Sequence, residues 1–223
     1  MPSLRKIADT WLSTVRLDRI SRAAISVLLR PAASSRRAEL CGFRWAWADL
    51  EVPYRDPDTG DERLGAVLTV KRTIVQLGGK LVEEASAKSK AGDRLVFIDH
   101  DTATLLREHR KAQLRARLAA GPDWSDNDLV FCQPDGQPWN PDHVSKRFRR
   151  LAMLAGVPPI KLHEGGRHTG NSLMYDAEIR QDIVMRQVGH ASAEISQRYN
   201  HPLRQAHLEA AAQVAGLVRK AGS

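Results

Sequence analysis

Between residues 66 and 98 the chain changes its periodicity, and that change limits the folds open to it. On either side apolar residues recur at helical spacing. Inside it, Ala66-Val67-Leu68-Thr69-Val70 and Thr73-Ile74-Val75-Gln76-Leu77 are β-branched runs of strand length. Gly78-Gly79 supplies a turn into Lys80-Leu81-Val82, and Arg94-Leu95-Val96-Phe97-Ile98 is a further strand entered through Lys90-Ala91-Gly92-Asp93. Neighbouring strands joined by tight turns pair antiparallel, so a βαβ parallel sheet is excluded for this section. The expected fold is α+β: a mostly helical domain with a small antiparallel β-sheet on one side.

The flanks complete that expectation. Leu17, Ile20, Ala24, Val27 and Leu28 mark a helix ended by Pro31. A second helix runs from Arg37 to Trp47, with Leu40, Phe43 and Trp47 on one face and Ser34 or Ser35 as cap. Asp101 is the expected cap of a long amphipathic helix reaching about Ala119, stopped by Gly121-Pro122. Leu129-Val130-Phe131 reads as a short extended piece. Helices are expected over Pro141–Ala155, Arg167–Ala177, Gln181–Val188 and Pro202 to about Lys220. The last carries an apolar line through Leu203, Ala206, Ala210, Val214 and Leu217. It packs either on its own domain or on a neighbouring copy, and a truncation at Arg204 separates the two.

At 223 residues this is one domain, divided here into a leader at 1–16, a main domain at 17–205 and a C-terminal helix or tail at 206–223. The formal net charge of +8 and an isoelectric point near 9.9 favour a polyanionic partner. Aromatic residues are only 5% of the chain and do not form a base-stacking platform, which points to backbone contacts on a duplex instead of a single-strand reader. No apolar run has membrane-spanning length, and Met1-Pro2-Ser3-Leu4-Arg5-Lys6 leads into no signal-peptide core, so a cytoplasmic protein with no membrane partner is expected. Cys41 and Cys132 are far apart and lack the histidine spacing of a zinc site, so neither a metal nor another cofactor is expected.

Chemistry concentrates near the C-terminus. Val188-Gly189-His190 is followed nine residues later by Tyr199, and upstream lies His163-Glu164-Gly165-Gly166-Arg167-His168-Thr169. A tyrosine beside arginines and histidines suggests an oxygen nucleophile next to phosphate-binding groups. The plainer reading is a half-buried tyrosine closing a helix on the core. Nine residues of continuous α-helix turn through about 900°, so His190 and Tyr199 share a site only if the helix breaks between them. Gly189 is a helix stop, and Ser192 with Glu194 begins the next helix.

Taken in order, these motifs resemble the catalytic domain of the tyrosine recombinases, the phage integrase family. Ser35-Arg36-Arg37-Ala38-Glu39-Leu40 is similar to the segment holding that family's first arginine, and Gly42-Phe43-Arg44-Trp45 continues it. Both usual glycines of that segment are replaced here. Lys88-Ser89-Lys90 is similar to the lysine-bearing hairpin, with Lys90 the better match. Arg167-His168-Thr169 and Val188-Gly189-His190 match the next two motifs, and Tyr199 stands at the family's spacing. His163 lies four residues before Arg167 where the family has three, and Glu164 takes the usual histidine place.

The resemblance implies a DNA-breaking-rejoining fold and site-specific recombination through a 3′-phosphotyrosyl intermediate, without metal. It assigns Tyr199 as nucleophile, Arg36 and Arg167 as the phosphate clamp, Lys90 as general acid, His163 as an aid to proton transfer or to orienting the tyrosine, His190 as a phosphate hydrogen-bond donor, and Glu39 as an orienting carboxylate behind them. It implies double-stranded DNA as partner, a homo-oligomer that is tetrameric at synapsis, and accessory DNA-bending or directionality proteins. A DNA-binding relic of the fold and a type IB topoisomerase share these features.

Overall fold

The computed structural model describes residues 37–85, 94–154, 174, 178–180, 183 and 208–215. They form the expected α+β architecture. In chain order they contain α1 (Arg37–Gly42), a 3-10 turn (Trp45–Trp47), β1 (Ala48–Arg55), β2 (Glu62–Val70), β3 (Arg72–Leu77), β4 (Lys80–Ala85), β5 (Arg94–Ile98), α2 (His100–Ala120), a second 3-10 turn (Gly121–Asp123) and α3 (Pro141–Leu154). Residues 208–215 are also helical.

The strands form two antiparallel sheets: β1-β2-β5, and the β3-β4 hairpin. In the hairpin Leu77 pairs with Lys80 across Gly78 and Gly79, whose φ values of 54° and 82° lie in the left-handed region that glycine adopts without strain. β2 is the central strand of the larger sheet, which explains its unbroken apolar run: both of its faces are covered. Ala66, Leu68 and Val70 join Val96 and Ile98 of β5 in the main core, against Ala103 and Leu106 of α2 and against Leu40 and Phe43 of the α1 region. Val67 and Phe97, pointing the other way, pack with Val52, Tyr54, Leu208 and Ala212. The sheet therefore carries α2 on one face and the 208–215 helix on the other. Of the expected line on the last helix, Ala210 and Val214 bury against Met174, Ile179 and Ile183. Leu208, at 0% exposure, is the sheet-facing anchor that line omitted.

β1 was absent from the expected strands. Pro53, Asp49 and Glu51 disguise it, since proline inside a run argues against a central strand. The structure makes it the edge strand, where a missing N–H costs no ladder bond, and buries Leu50, Val52 and Tyr54. A register irregularity between Asp49 and Val52 sets Leu50 and Glu51 opposite the single Ala66. Leu50 accordingly joins the main core, while Val52 and Tyr54 join the opposite face.

Two helix boundaries also differ from expectation. The helix begun at Arg37 stops at Gly42, and Trp47 sits in the 3-10 turn instead of on a continuous helical face. A Cβ on Gly42 would lie 2.3 Å from the Arg72 carbonyl oxygen, so α1 ends by pressing its backbone on β3. The long helix is capped by Asp99, not Asp101: Thr102 N–H donates to Asp99 Oδ1 at 3.2 Å and its hydroxyl to Oδ2 at 2.8 Å. Asp101 falls in the first turn, where its charge suits the helix dipole. The Pro141 start and the Gly121 stop agree with the expected ends.

On its buried side α2 carries polar groups beside Ala103 and Leu106. Gln113 accepts from Trp45 Nε1 at 2.6 Å and donates to the Leu129 carbonyl at 3.0 Å. His109 Nε2 lies 2.6 Å from the Val130 carbonyl, and its ring stacks on Phe131. These bonds satisfy the backbone of the extended 129–132 segment, which has no sheet to join beyond isolated bridges from Leu129 to Arg44 and from Cys132 to Pro138.

Candidate functional site

Of the residues singled out in the sequence, Glu39 is described; Arg36, Lys90 and its alternative Lys88, His163, Arg167, His190 and Tyr199 lie outside the described residues. So do the expected helix at 17–29, the Ser34 or Ser35 cap, and the helices at Arg167–Ala177 and Gln181–Val188 apart from Met174 and Ile183. The structure supplies the elements that flank the expected catalytic residues in the chain. α1 begins at Arg37, directly after Arg36. The described part of β4 reaches Ala85 and that of β5 starts at Arg94, and Lys88 and Lys90 fall between them in the sequence. The described residues of α3 reach Leu154, nine before His163, and those of the C-terminal helix start at Leu208, nine after Tyr199.

α1 is short but held on several sides. Glu39, in its first turn, is 4% exposed. Leu40 and Phe43 enter the main core, and Cys41 joins Ile74, Leu129 and Cys132 in a second cluster. Burial pushes the Cys41 thiol up from its ordinary 9.0 to about 12, against a smaller opposing pull from the Arg37 charge. Val144 of α3 packs against both clusters. At the start of α1, Arg37 reaches α3 as well, with Nη1 2.8 Å from Asp142 Oδ1 and 3.2 Å from Ser145 Oγ.

The β3-β4 hairpin, which leads into the lysine connection, is fastened from two directions. Arg44 donates to Glu83 Oε2 at 2.8 Å and to the Asn127 carbonyl, while Arg72 stands 3.8 Å from the same carboxylate. On the other strand Asn140 Nδ2 donates to Gln76 Oε1 at 2.9 Å. Arg44 also lies over the Trp47 ring at 5.6 Å, with Lys71 at 5.5 Å.

α3 shows a feature the sequence reading passed over. His143, Lys146, Arg147, Arg149 and Arg150 are all exposed, and Phe148 is buried opposite. At 100° per residue, His143, Lys146, Arg147 and Arg150 span about 100° of one face. Asp142, the sole acid in Pro141–Leu154, is the one paired with Arg37. The signal was present as four cations in five residues, with the one apolar residue among them at the core-facing position. Among the described residues, no helix is long and apolar enough to cross a membrane.

Comparison with known proteins agrees with the motif order. The model of the phage integrase family matches residues 6–206. An integrase of Saccharopolyspora erythraea is 34% identical over 124 residues, covering 56% of this chain and 28% of that protein. A XerC-like tyrosine recombinase of Caldanaerobacter subterraneus is 27% identical over 179 residues, covering 78% and 44%. In fold, the structure of the Tn1549 transposon integrase in complex with transposon right end DNA superposes with a TM-score of 0.63, at 17% identity, over 90% of this chain and 62% of that one. The chain spans less than half the length of these two sequence relatives.

Proposed function

Because the chain belongs to the phage integrase family, we propose that it is the catalytic domain of a site-specific recombinase, cutting and rejoining DNA through a 3′-phosphotyrosyl intermediate. The observation that carries the reading is the extent of the family match. Residues 6–206 include every motif from Arg36 to Tyr199 in family order. The proposed limits are a catalytic domain at 17–205, preceded by a leader at 1–16 and followed by a C-terminal helix or tail at 206–223.

In this scheme the Tyr199 oxygen attacks the scissile phosphorus. The bond to the 5′ oxygen breaks, and that oxygen leaves with a proton from Lys90. Arg36 and Arg167 hold the non-bridging oxygens, where a guanidinium offers two parallel donors and stays charged at any working pH. Loss of one such donor costs about 3 kcal/mol in the transition state, or roughly a hundredfold in rate. His190 donates to a phosphate oxygen, His163 serves proton transfer or orients Tyr199, and Glu39 orients the arginine side of the site. Rejoining is the reverse attack, by a 5′ hydroxyl on the phosphotyrosine.

The partner is double-stranded DNA, met by the cationic face of α3 and favoured by the +8 charge. The active assembly is a tetrameric synapse, served by accessory DNA-bending or directionality proteins. A suicide DNA carrying a nick beside the cleavage position tests the chemistry. Wild-type protein is expected to form a denaturant-resistant adduct and Tyr199→Phe none. Adduct formation by Tyr199→Phe would sink the assignment of the nucleophile. Site-independent relaxation of supercoiled plasmid would select topoisomerase activity instead.

A further inference from the structure

We propose that Arg37 is a positioning residue that couples the seating of α3 on duplex DNA to the phosphate clamp at its chain neighbour Arg36. The inference rests on the reading of Arg36 and of the α3 cationic face given above. Three observations carry it. Arg37 opens α1 and spans to α3, more than a hundred residues away, through two acceptors on one helix: Asp142 Oδ1 at 2.8 Å and Ser145 Oγ at 3.2 Å. The contact is seated on packing, because Val144, between those two acceptors, lies against the clusters of Leu40 and Cys41. The far end of α1 is fixed independently by the approach of Gly42 to the Arg72 carbonyl.

Consecutive Cα atoms stand only about 3.8 Å apart, so the backbone at Arg36 follows Arg37 closely. Phosphates drawn to Lys146, Arg147 and Arg150 would set the pose of α3, and Asp142 on the same helix passes that pose to the first turn of α1. A rival role exists for Arg37. About half exposed, it could bind a phosphate itself. The two roles part at Asp142. Removing this carboxylate frees Arg37 for a phosphate and should aid binding under the rival role, but breaks the link under ours.

The test compares Arg37→Ala, Asp142→Asn and the double variant in single-turnover cleavage of a nicked suicide DNA, at saturating DNA, beside their duplex affinities. Each single variant is expected to cleave about tenfold more slowly with affinity changed less than threefold. The double variant should match the singles, since both break one link. Rates within twofold of wild type, a double effect equal to the product of the singles, or a loss confined to affinity would overturn the proposal. A second readout does not need catalysis. Duplex binding should slow hydrogen exchange at the amides of α1 in wild type and not in Asp142→Asn. Absence of that protection in wild type overturns the coupling. Protection without any covalent adduct overturns the enzymatic reading and supports the coupling.

Discussion

The docking of the 208–215 helix can be tested quantitatively through Leu208. Its side chain is 0% exposed and packs with Val52, Tyr54, Val67 and Phe97. The fit is close on the sheet side, where a Cβ on Gly65 would stand 2.7 Å from Leu208 Cδ2. Leu208→Ala removes three carbons, worth about 2.4 kcal/mol in transfer free energy at about 0.8 per methylene. A cavity bounded by three strands collapses poorly, which raises the expected loss to about 3–5 kcal/mol. With a urea slope of about 2 kcal/mol/M, the midpoint falls by roughly 1.5–2.5 M at unchanged slope. Equilibrium unfolding followed by circular dichroism measures this. The measurement is repeated over a hundredfold range of protein concentration, because a helix docked on its own sheet gives a concentration-independent loss. A loss under about 1 kcal/mol, or one that grows on dilution as exchange between copies requires, refutes the argument.

Other substitutions probe other contacts. Gln113→Ala should destabilise by about 3 kcal/mol in the same assay, because Trp45 Nε1 and the Leu129 carbonyl lose their partner inside the core. Burial holds the Cys41 pKa at about 12 against 9.0, so the folded chain keeps a proton that the unfolded chain loses. Stability from this group is complete below pH 9 and falls as pH rises toward 12, at up to about 1.4 kcal/mol per pH unit. Tyr54, also pushed up to about 12 by burial, adds to the fall above pH 10. Pulse proteolysis from pH 8.5 to 10.5 should show a flatter profile for Cys41→Ala than for wild type. Lys146→Ala and Arg150→Ala should each lower the slope of log affinity against log salt by about one on any duplex, read by fluorescence anisotropy.

How much of this was readable in advance depended on which force decided each element. β2, β3, β4 and β5 follow local preference: β-branched runs and a Gly78-Gly79 turn. The β3-β4 hairpin needed no distant information to pair, but β2 reaches past it to β5. β1 does not follow local preference, because Pro53 and the acidic residues are tolerated only on an edge, and edge position is settled by β2 and β5 elsewhere in the chain. The end of α1 was hidden for a similar reason. Gly42 is a local stop signal, but Phe43 and Trp47 carry the apolar spacing past it, and only the close backbone of β3 marks it as the end. Asp99 and Asp101 are equally good caps by residue type, and only the chain direction after β5 selects Asp99. In the candidate site, the order of motifs from Arg36 to Tyr199 identified the family without any geometry. Arg37 and the cationic face of α3 went unnoticed, since charged residues on a helix surface are commonplace until their one acid is seen to be engaged with another element.

The extra residue in β1 bears on how the strand can change length. Leu50 and Glu51 share one partner position, and the Glu51 N–H is taken by Asp49 Oδ1 at 3.2 Å instead of by the ladder. Removing Glu51 would place Leu50 opposite Ala66 and leave the pairs Val52–Gly65 and Tyr54–Arg63 as they are, with every later side chain on its present face. Removing Val52 or Pro53 instead would set Glu51 opposite Gly65 and place its carboxylate on the face where Val52 and Tyr54 are buried. β1 can thus shorten at one place only, and descendants of this sequence that have lost a residue here should have lost it at 51.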